Sequence, residues 1–399
     1  FRARFNFIKC RSLNNLHHAK DAYLNIVVGN ILDTKYSSEF YKKVNGEGYY
    51  NISRPFEYKV EGAWDIVRVP VQSEEENKFR YEIQGKDIDT VRKTMRKNNI
   101  LYTVQPILKE GALFDLQIVK KGSKQGALPV KTSDPKLLKL LDSYESKTDA
   151  YEAWNNKYGG YNSLKISYFS LVSHMEKGKK YVSFIPIAIV DVDSCKTDAG
   201  LTEYCEKELG LQSVEVLRHT ILKNTILEFN GFPLSISGKA NGGAVITLNS
   251  IVPLVLSEES TKTLKAIESY SKKKALYKAE LSPEHDGINE DNTIKLFSEL
   301  ISKNSENIYR SRPGNQSKVF DGEATKMFMD LSLSERCDVI QNVVQYFGMG
   351  NGIADLSLIG GTKKCGTITK GSKIQEGKTD IFIIDRSITG LFETRTKVL

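Results

Sequence analysis

Cysteine is sparse in this chain, with five residues at Cys10, Cys195, Cys205, Cys337 and Cys365, and no two of them form a Cys-x-x-Cys pair. Scattered and odd in number, they argue against a zinc knuckle and a disulfide framework and fit a reducing compartment. No apolar run approaches the length needed to cross a bilayer, and no signal-peptide pattern opens the chain. A soluble cytoplasmic protein without a membrane partner is therefore expected. Internal repeats and low-complexity linkers are also lacking. Phe1 is not an initiator methionine, and the first residues read as mid-domain, so a part of a longer polypeptide is expected.

What is present is a chain of 399 residues, long enough for two or three domains that each bury a core. Its net charge is +8, from 57 Lys plus Arg against 49 Asp plus Glu. That excess mildly favours a polyanionic partner. The distribution says more than the total. Basic residues gather at Arg2, Arg4, Lys9 and Arg11, at Arg92, Lys93, Arg96 and Lys97, at Lys120, Lys121 and Lys124, at 272–274, and at Lys363, Lys364 and Lys370, while acid collects separately at 74–76.

Hydrophobic periodicity predicts a helix near the start, a short basic helix over 90–97 and a strand over 113–119. A Gly/Lys/Ser loop follows over 120–126, then helical periodicity over 135–154. Apolar runs at 168–172 and 182–187 read as strands of a twisted sheet or partial barrel. Longer amphipathic stretches at 258–279, 293–308 and 332–347 read as helices. The expected order is α/β, then mainly β with inserted helices.

The first site-like element is the segment Leu13 to Asn25, which holds two of the chain's five histidines, His17 and His18. With Asn15 as the cap, Leu16, Ala19, Tyr23 and Ile26 form one apolar stripe, and His18, Asp21 and Asn25 a second. An imidazole can relay a proton from an attacking water, and a carboxylate can hold a hard divalent cation near a phosphate. A His-His pair at a helix start also serves capping or packing. One His and one Asp do not make a two-metal centre, which needs about three or four carboxylates. Asp191 and Asp193, alternating as on a strand, are the partners that can be named within the chain, and they also read as a solvated strand end.

The second is the run Leu358 to Gly371, in which glycines allow tight turns and alternating Lys and Thr project donors. It reads as a short two-stranded ribbon, of a size to enter the DNA major groove, where lysine donates to guanine O6 and N7, or as an ordinary solvated hairpin.

Several segments together resemble one family. His17-His18-Ala19-Lys20-Asp21-Ala22-Tyr23-Leu24-Asn25 is similar to the third RuvC segment of the type II CRISPR-associated RNA-guided DNA endonucleases. Thr90-Val91-Arg92-Lys93, Ser123-Lys124-Gln125-Gly126-Ala127-Leu128-Pro129, Trp154-Asn155-Asn156-Lys157-Tyr158-Gly159-Gly160-Tyr161, Glu176-Lys177-Gly178-Lys179-Lys180 and Ser387-Ile388-Thr389-Gly390-Leu391-Phe392-Glu393-Thr394-Arg395 follow in the family's order, so the resemblance covers essentially the whole chain.

The resemblance implies the end of an RNase H-like RuvC domain, α/β, followed by α+β, mainly β wedge and PAM-interacting domains with inserted helices. The divisions expected are 1–115, 116–225 and 226–399. It implies that His18 is the general base and Asp21 a carboxylate at a Mg2+ site completed by residues outside this sequence. It implies that Lys124, Gln125 and Gly126 form a phosphate-lock loop, with Gln125 and Gly126 standing where an acid and a serine are familiar. Ser163 falls where a minor-groove contact is expected. The implied partners are guide RNA, target and motif-containing duplex DNA, and the remainder of the same nuclease, with an inhibitor protein that mimics DNA allowed by the electrostatics. The resemblance also implies the family's division of labour, in which base pairing with the guide reads the target and the protein reads the short adjacent motif.

One departure stands out: no arginine lies between Arg336 and Arg386, whereas the best-known member grips two guanines with two arginines. A different motif is therefore expected, read by Thr362, Lys363, Lys364, Thr367, Lys370 or Gln375. Two other readings stay open: a stand-alone non-catalytic nucleic-acid-binding module, and a small RuvC-like nuclease complete in itself.

Overall fold

The computed structural model describes residues 1–2, 5, 7–36, 68–72, 79–83, 86–108, 118–124, 126–127, 129, 134–161, 165–240, 243–277, 282–314, 317–320, 322–375 and 379–398. The chain forms two compact units. The first comprises Phe1–Tyr102, Pro253–Ile301 and Thr325–Met349, and the second Thr103–Val252, Ser302–Ala324 and Gly350–Leu399.

In the first unit, the helix Leu16–Tyr36 and the helix Lys86–Arg96 meet through Leu24, Val27, Ile88, Val91 and Met95, joined by Phe5. The spacing of Ile88, Val91 and Met95 is one helical face, and Lys93 and Arg96 fall on the other, so the short basic helix forms as expected. The apolar stripe expected on the first helix is different. Ile26 is 62% exposed, and the buried positions are Leu16, Leu24 and Val27. Asn14, one residue before the expected cap, accepts the Leu16 N–H on its Oδ1 at 3.0 Å. The remaining helices of this unit include Glu258–Tyr277, Glu290–Ser302 and Leu333–Phe347. The last begins with a reciprocal capping box between Ser332 and Glu335, which satisfies two N-terminal amides. Two strands, β1 (Arg68–Gln72) and β2 (Phe79–Ile83), pair antiparallel.

In the second unit, β3 (Ile118–Val119) pairs with β4 (Gly160–Tyr161). Between them run two helices, Pro135–Ser143 and Lys147–Lys157, each capped at its N-terminus by a side chain, Asp134 and Ser146. The strands β5 (Ile166–Glu176) and β6 (Lys179–Ala188) form a long hairpin whose two loop residues, Lys177 and Gly178, both have positive φ. β7 (Gln212–Leu222) flanks β5. A second hairpin joins β8 (Ile226–Phe229) to β9 (Phe232–Ala240) through Asn230 and Gly231, again both left-handed. With β10 (Val245–Ser250), β11 (Ile368–Gly371), β12 (Lys373–Gln375), β13 (Ile381–Arg386) and β14 (Glu393–Lys397), these give a six-stranded sheet ordered β11-β10-β9-β8-β13-β14 and a four-stranded sheet ordered β12-β6-β5-β7. Every pairing in both sheets is antiparallel.

Two strand expectations change. Residues 189–191 form a 3-10 turn after β6, so Asp191 and Asp193 do not alternate along a strand, and Asp193 pairs with Lys196 at 2.7 Å. The run 358–371, expected as a two-stranded ribbon, is a loop that ends in one strand, β11, at the edge of the six-stranded sheet, while β12 just beyond it joins the edge of the four-stranded sheet. The turn residue Ser372 bonds both, donating to the Ala244 carbonyl at 2.9 Å and accepting from Phe184 N–H at 2.9 Å. Sheet pairing satisfies more main-chain groups than an isolated ribbon of this length, which is marginal in water.

All five cysteines are buried with free thiols. No helix among the described residues is long and apolar enough to cross a membrane.

Candidate nucleic-acid interface

The helix edge of the first unit is built on its N-terminal turn. His17 Nδ1 lies 2.7 Å from the Asn14 carbonyl, and its ring sits 4.1 Å from that of His18. His18 is exposed, one turn ahead of Asp21. Both oxygens of the Asp21 carboxylate are engaged, Oδ1 by Arg2 and Oδ2 by Lys9. Burial works to raise this carboxyl, and the hydrogen bonds from Lys9 and Arg2 more than reverse the effect, so Asp21 titrates below its ordinary value. Beside it opens a cavity of about 630 Å³ whose rim carries Arg2, Lys9, His17, Lys20, Arg92 and Arg96. Lys20 donates to Asn98 Oδ1 at 2.8 Å, and burial first, then Arg2, lowers its pKa. The surroundings of Asp21 are thus strongly cationic.

These residues do not fit a divalent ion by themselves. Asp21 is one carboxylate already neutralised by two cations, and no group of three or more His, Cys, Asp or Glu that could hold a metal occurs among the described residues. The Arg2 and Lys9 contacts were not foreseen; their signal was membership of the first basic cluster.

The lysine loop of the second unit is locked from behind. It leaves β3 at Lys120, and β3 pairs antiparallel with β4. Asn155 binds the loop twice, its Nδ2 donating to the Ser123 carbonyl at 2.8 Å and its own carbonyl accepting from Gly122 N–H at 3.0 Å. Trp154 Nε1 donates to the Gly159 carbonyl at 3.0 Å. Lys124 points outward and is exposed. Gly126 adopts φ +72°, and its N–H donates to the Ser123 carbonyl at 3.1 Å. That amide closes a turn and is not directed at an anion. Gln125 and Ser163 lie outside the described residues.

The third element is the loop from Thr362 to Thr367. Thr362, Lys363, Lys364 and Thr367 are all exposed, whereas Cys365 and Gly366 between them are buried. Main-chain bonds hold the buried pair: Ala354 N–H donates to the Cys365 carbonyl at 2.7 Å, and Cys365 N–H to the Ala354 carbonyl at 3.0 Å. Lys370 is half-buried in β11, and Gln375 is half-buried in β12 on the other sheet. The four exposed residues therefore share one loop, and the other two candidates do not belong to it.

The cationic rim in the first unit and the exposed lysine loops in the second are each suited to polyanions. Comparison with protein families agrees. Residues 110–394 match the family described as the PAM-interacting domain of CRISPR-associated endonuclease Cas9, and residues 1–101 match the Cas9 RuvC domain. The chain belongs to the Cas9 family and corresponds to its C-terminal part. A CRISPR-associated endonuclease Cas9 from Listeria innocua serovar 6a is 27% identical over 195 residues, which take in 46% of this chain and 13% of that protein.

Proposed function

We propose that this chain, together with the remainder of its nuclease and a guide RNA, recognises a protospacer-adjacent motif (PAM) in duplex DNA and contributes to cutting the non-target strand. The observation that carries the reading is the loop Thr362 to Thr367, which holds Lys363 and Lys364 exposed on a fixed main chain. Lysine donates to guanine O6 and N7 in the major groove. A lysine is a less rigid reader than the arginine fork, so the motif is discriminated more loosely or partly through water. Thr362 and Thr367 are secondary readers, and Lys370 and Gln375 support the neighbouring strands. Lys124, Gln125 and Gly126 are assigned to a phosphate-lock loop in which Lys124 supplies the charge, and Ser163 to a minor-groove contact.

His18 acts as general base, and Asp21 contributes one carboxylate to a Mg2+ site whose other ligands lie outside this chain. The chain alone is then catalytically incomplete. The sequential division at 1–115, 116–225 and 226–399 goes with the reading. A DNA-mimicking inhibitor would meet the same lysines.

The test is duplex binding by the joined nuclease with guide RNA. Lys363→Ala and Lys364→Ala should weaken a motif-containing duplex more than a random one. Equal loss on both means that these lysines touch phosphates alone.

A second reading is a stand-alone non-catalytic nucleic-acid-binding module. The occupation of Asp21 by Arg2 and Lys9 favours it, because local packing then fills the helix edge. It predicts that Asp21→Asn leaves cutting by the joined nuclease unchanged.

A further inference from the structure

Arg312 lies in no motif that the sequence marks out, yet it is 4% exposed and reaches the Lys363–Lys364 loop. It follows the short helix Asn307–Arg310, and its Nη2 donates to the carbonyl of Gly366 at 2.9 Å. Gly366 has φ +93°, and a Cβ at this position would stand 2.7 Å from the Gly352 carbonyl oxygen. The loop therefore passes Gly366 along a path open to glycine alone, with a buried guanidinium fixing its carbonyl from one side. A hydrogen bond from a charged donor is stronger than one between neutral groups, and leaving that carbonyl unpaired in a buried place is costly.

The other anchors lie on both sides of the lysines. Leu356 N–H donates to the Thr362 carbonyl at 3.0 Å, Cys365 and Ala354 exchange two main-chain bonds, and Ile368 N–H donates to Asn351 Oδ1 at 2.9 Å. Lys363 and Lys364 are thus two exposed residues strung between fixed points. A lysine ammonium on its flexible stem gains selectivity when its Cα is held in place, since the side chain itself supplies little geometry.

We propose that Arg312 is a positioning residue that sets the Thr362–Thr367 loop so that Lys363 and Lys364 meet base edges instead of phosphates. This rests on the reading of that loop as the motif reader. Arg312 meets the loop at its main chain, from a buried position, and not as a base reader.

The test uses the joined nuclease with guide RNA and measures Kd for a motif-containing duplex and for a random-flank duplex, taking their ratio. Arg312→Met should lower the ratio about tenfold, the scale of one base contact, while random-flank binding stays within about twofold. Arg312→Lys, which restores one charged donor, should recover part of the ratio. Gly366→Ala, which crowds the same turn against Gly352, should lower the ratio as well and keeps the test open if Arg312→Met fails to fold. A ratio unchanged in a folded Arg312→Met protein, or a proportional fall in both affinities, overturns the positioning role. A wild-type ratio of one removes the motif reader itself and this inference with it.

Discussion

The Cβ that Gly159 lacks would stand 2.8 Å from the main-chain nitrogen of Lys121 and 2.8 Å from the carbonyl oxygen of Val119. Gly159 also has φ +69°, so any side chain there is strained twice over. The approach is what lets the Lys120–Gly126 loop lie against the end of the helix Lys147–Lys157, where Asn155 grips Gly122 and Ser123.

Gly159→Ala is expected to destabilise the chain by about 1–3 kcal/mol, the usual cost of forcing a residue into such a conformation. Thermal unfolding of the wild type and variant measures it. An unchanged Tm would mean that the loop and helix separate freely.

Lys124→Ala should weaken binding of every duplex alike, since a phosphate contact carries no sequence information. The salt dependence of binding by the joined nuclease should lose about one unit of slope. A selective loss on motif-containing duplex would instead make Lys124 a base reader.

Asp21 predicts a pH-dependent gap. Its folded pKa lies below the unfolded value of about 3.9, so the stabilisation from Lys9 and Arg2 is complete above that pH and disappears as pH falls through the folded value. Asp21→Asn should lower Tm near neutral pH and converge with wild type in strong acid. A gap that persists in strong acid would assign the effect to packing. In the joined nuclease the same variant should lose non-target-strand cutting while binding is retained.

His174 has the same sign from a different cause, since burial disfavours its protonated, charged form. It is buried, its Nε2 lies 2.9 Å from Ser183 Oγ, and burial lowers its pKa, with Glu176 pulling back the other way. The unfolded chain therefore takes up the proton more readily, and stability present above about pH 6.5 is lost as pH falls below it. His174→Gln should give a flatter Tm profile between about pH 7.5 and 5. Parallel profiles for the two proteins would exclude this histidine as the source.

Elements with long, regular patterns were legible in the sequence: the helix Lys86–Arg96, the helix ending at Phe347 behind its Ser332 cap, and the strands β5 and β6. What escaped depends on partners remote in sequence. The run 358–371 reads as a self-paired ribbon, but its strand β11 pairs instead with Val245 to Leu248. The first helix hides its buried face because Ile26 is as apolar as Val27, and the core formed by Ile88 and Val91 selects Val27. At the candidate sites, residue types pointed to Asp21, Lys124 and Lys363. The groups that hold them, Arg2, Asn155 and Arg312, have no local signature, since a donor to a distant carbonyl or carboxylate looks like any surface residue.

The most direct test of motif reading supplies the joined nuclease and guide RNA with a fixed target beside a randomised duplex flank, and sequences what is retained. The account predicts an enriched short motif that shifts when Lys363 or Lys364 is replaced by Ala. Retention with no base preference would contradict it and leave a basic surface that binds duplex DNA of any sequence.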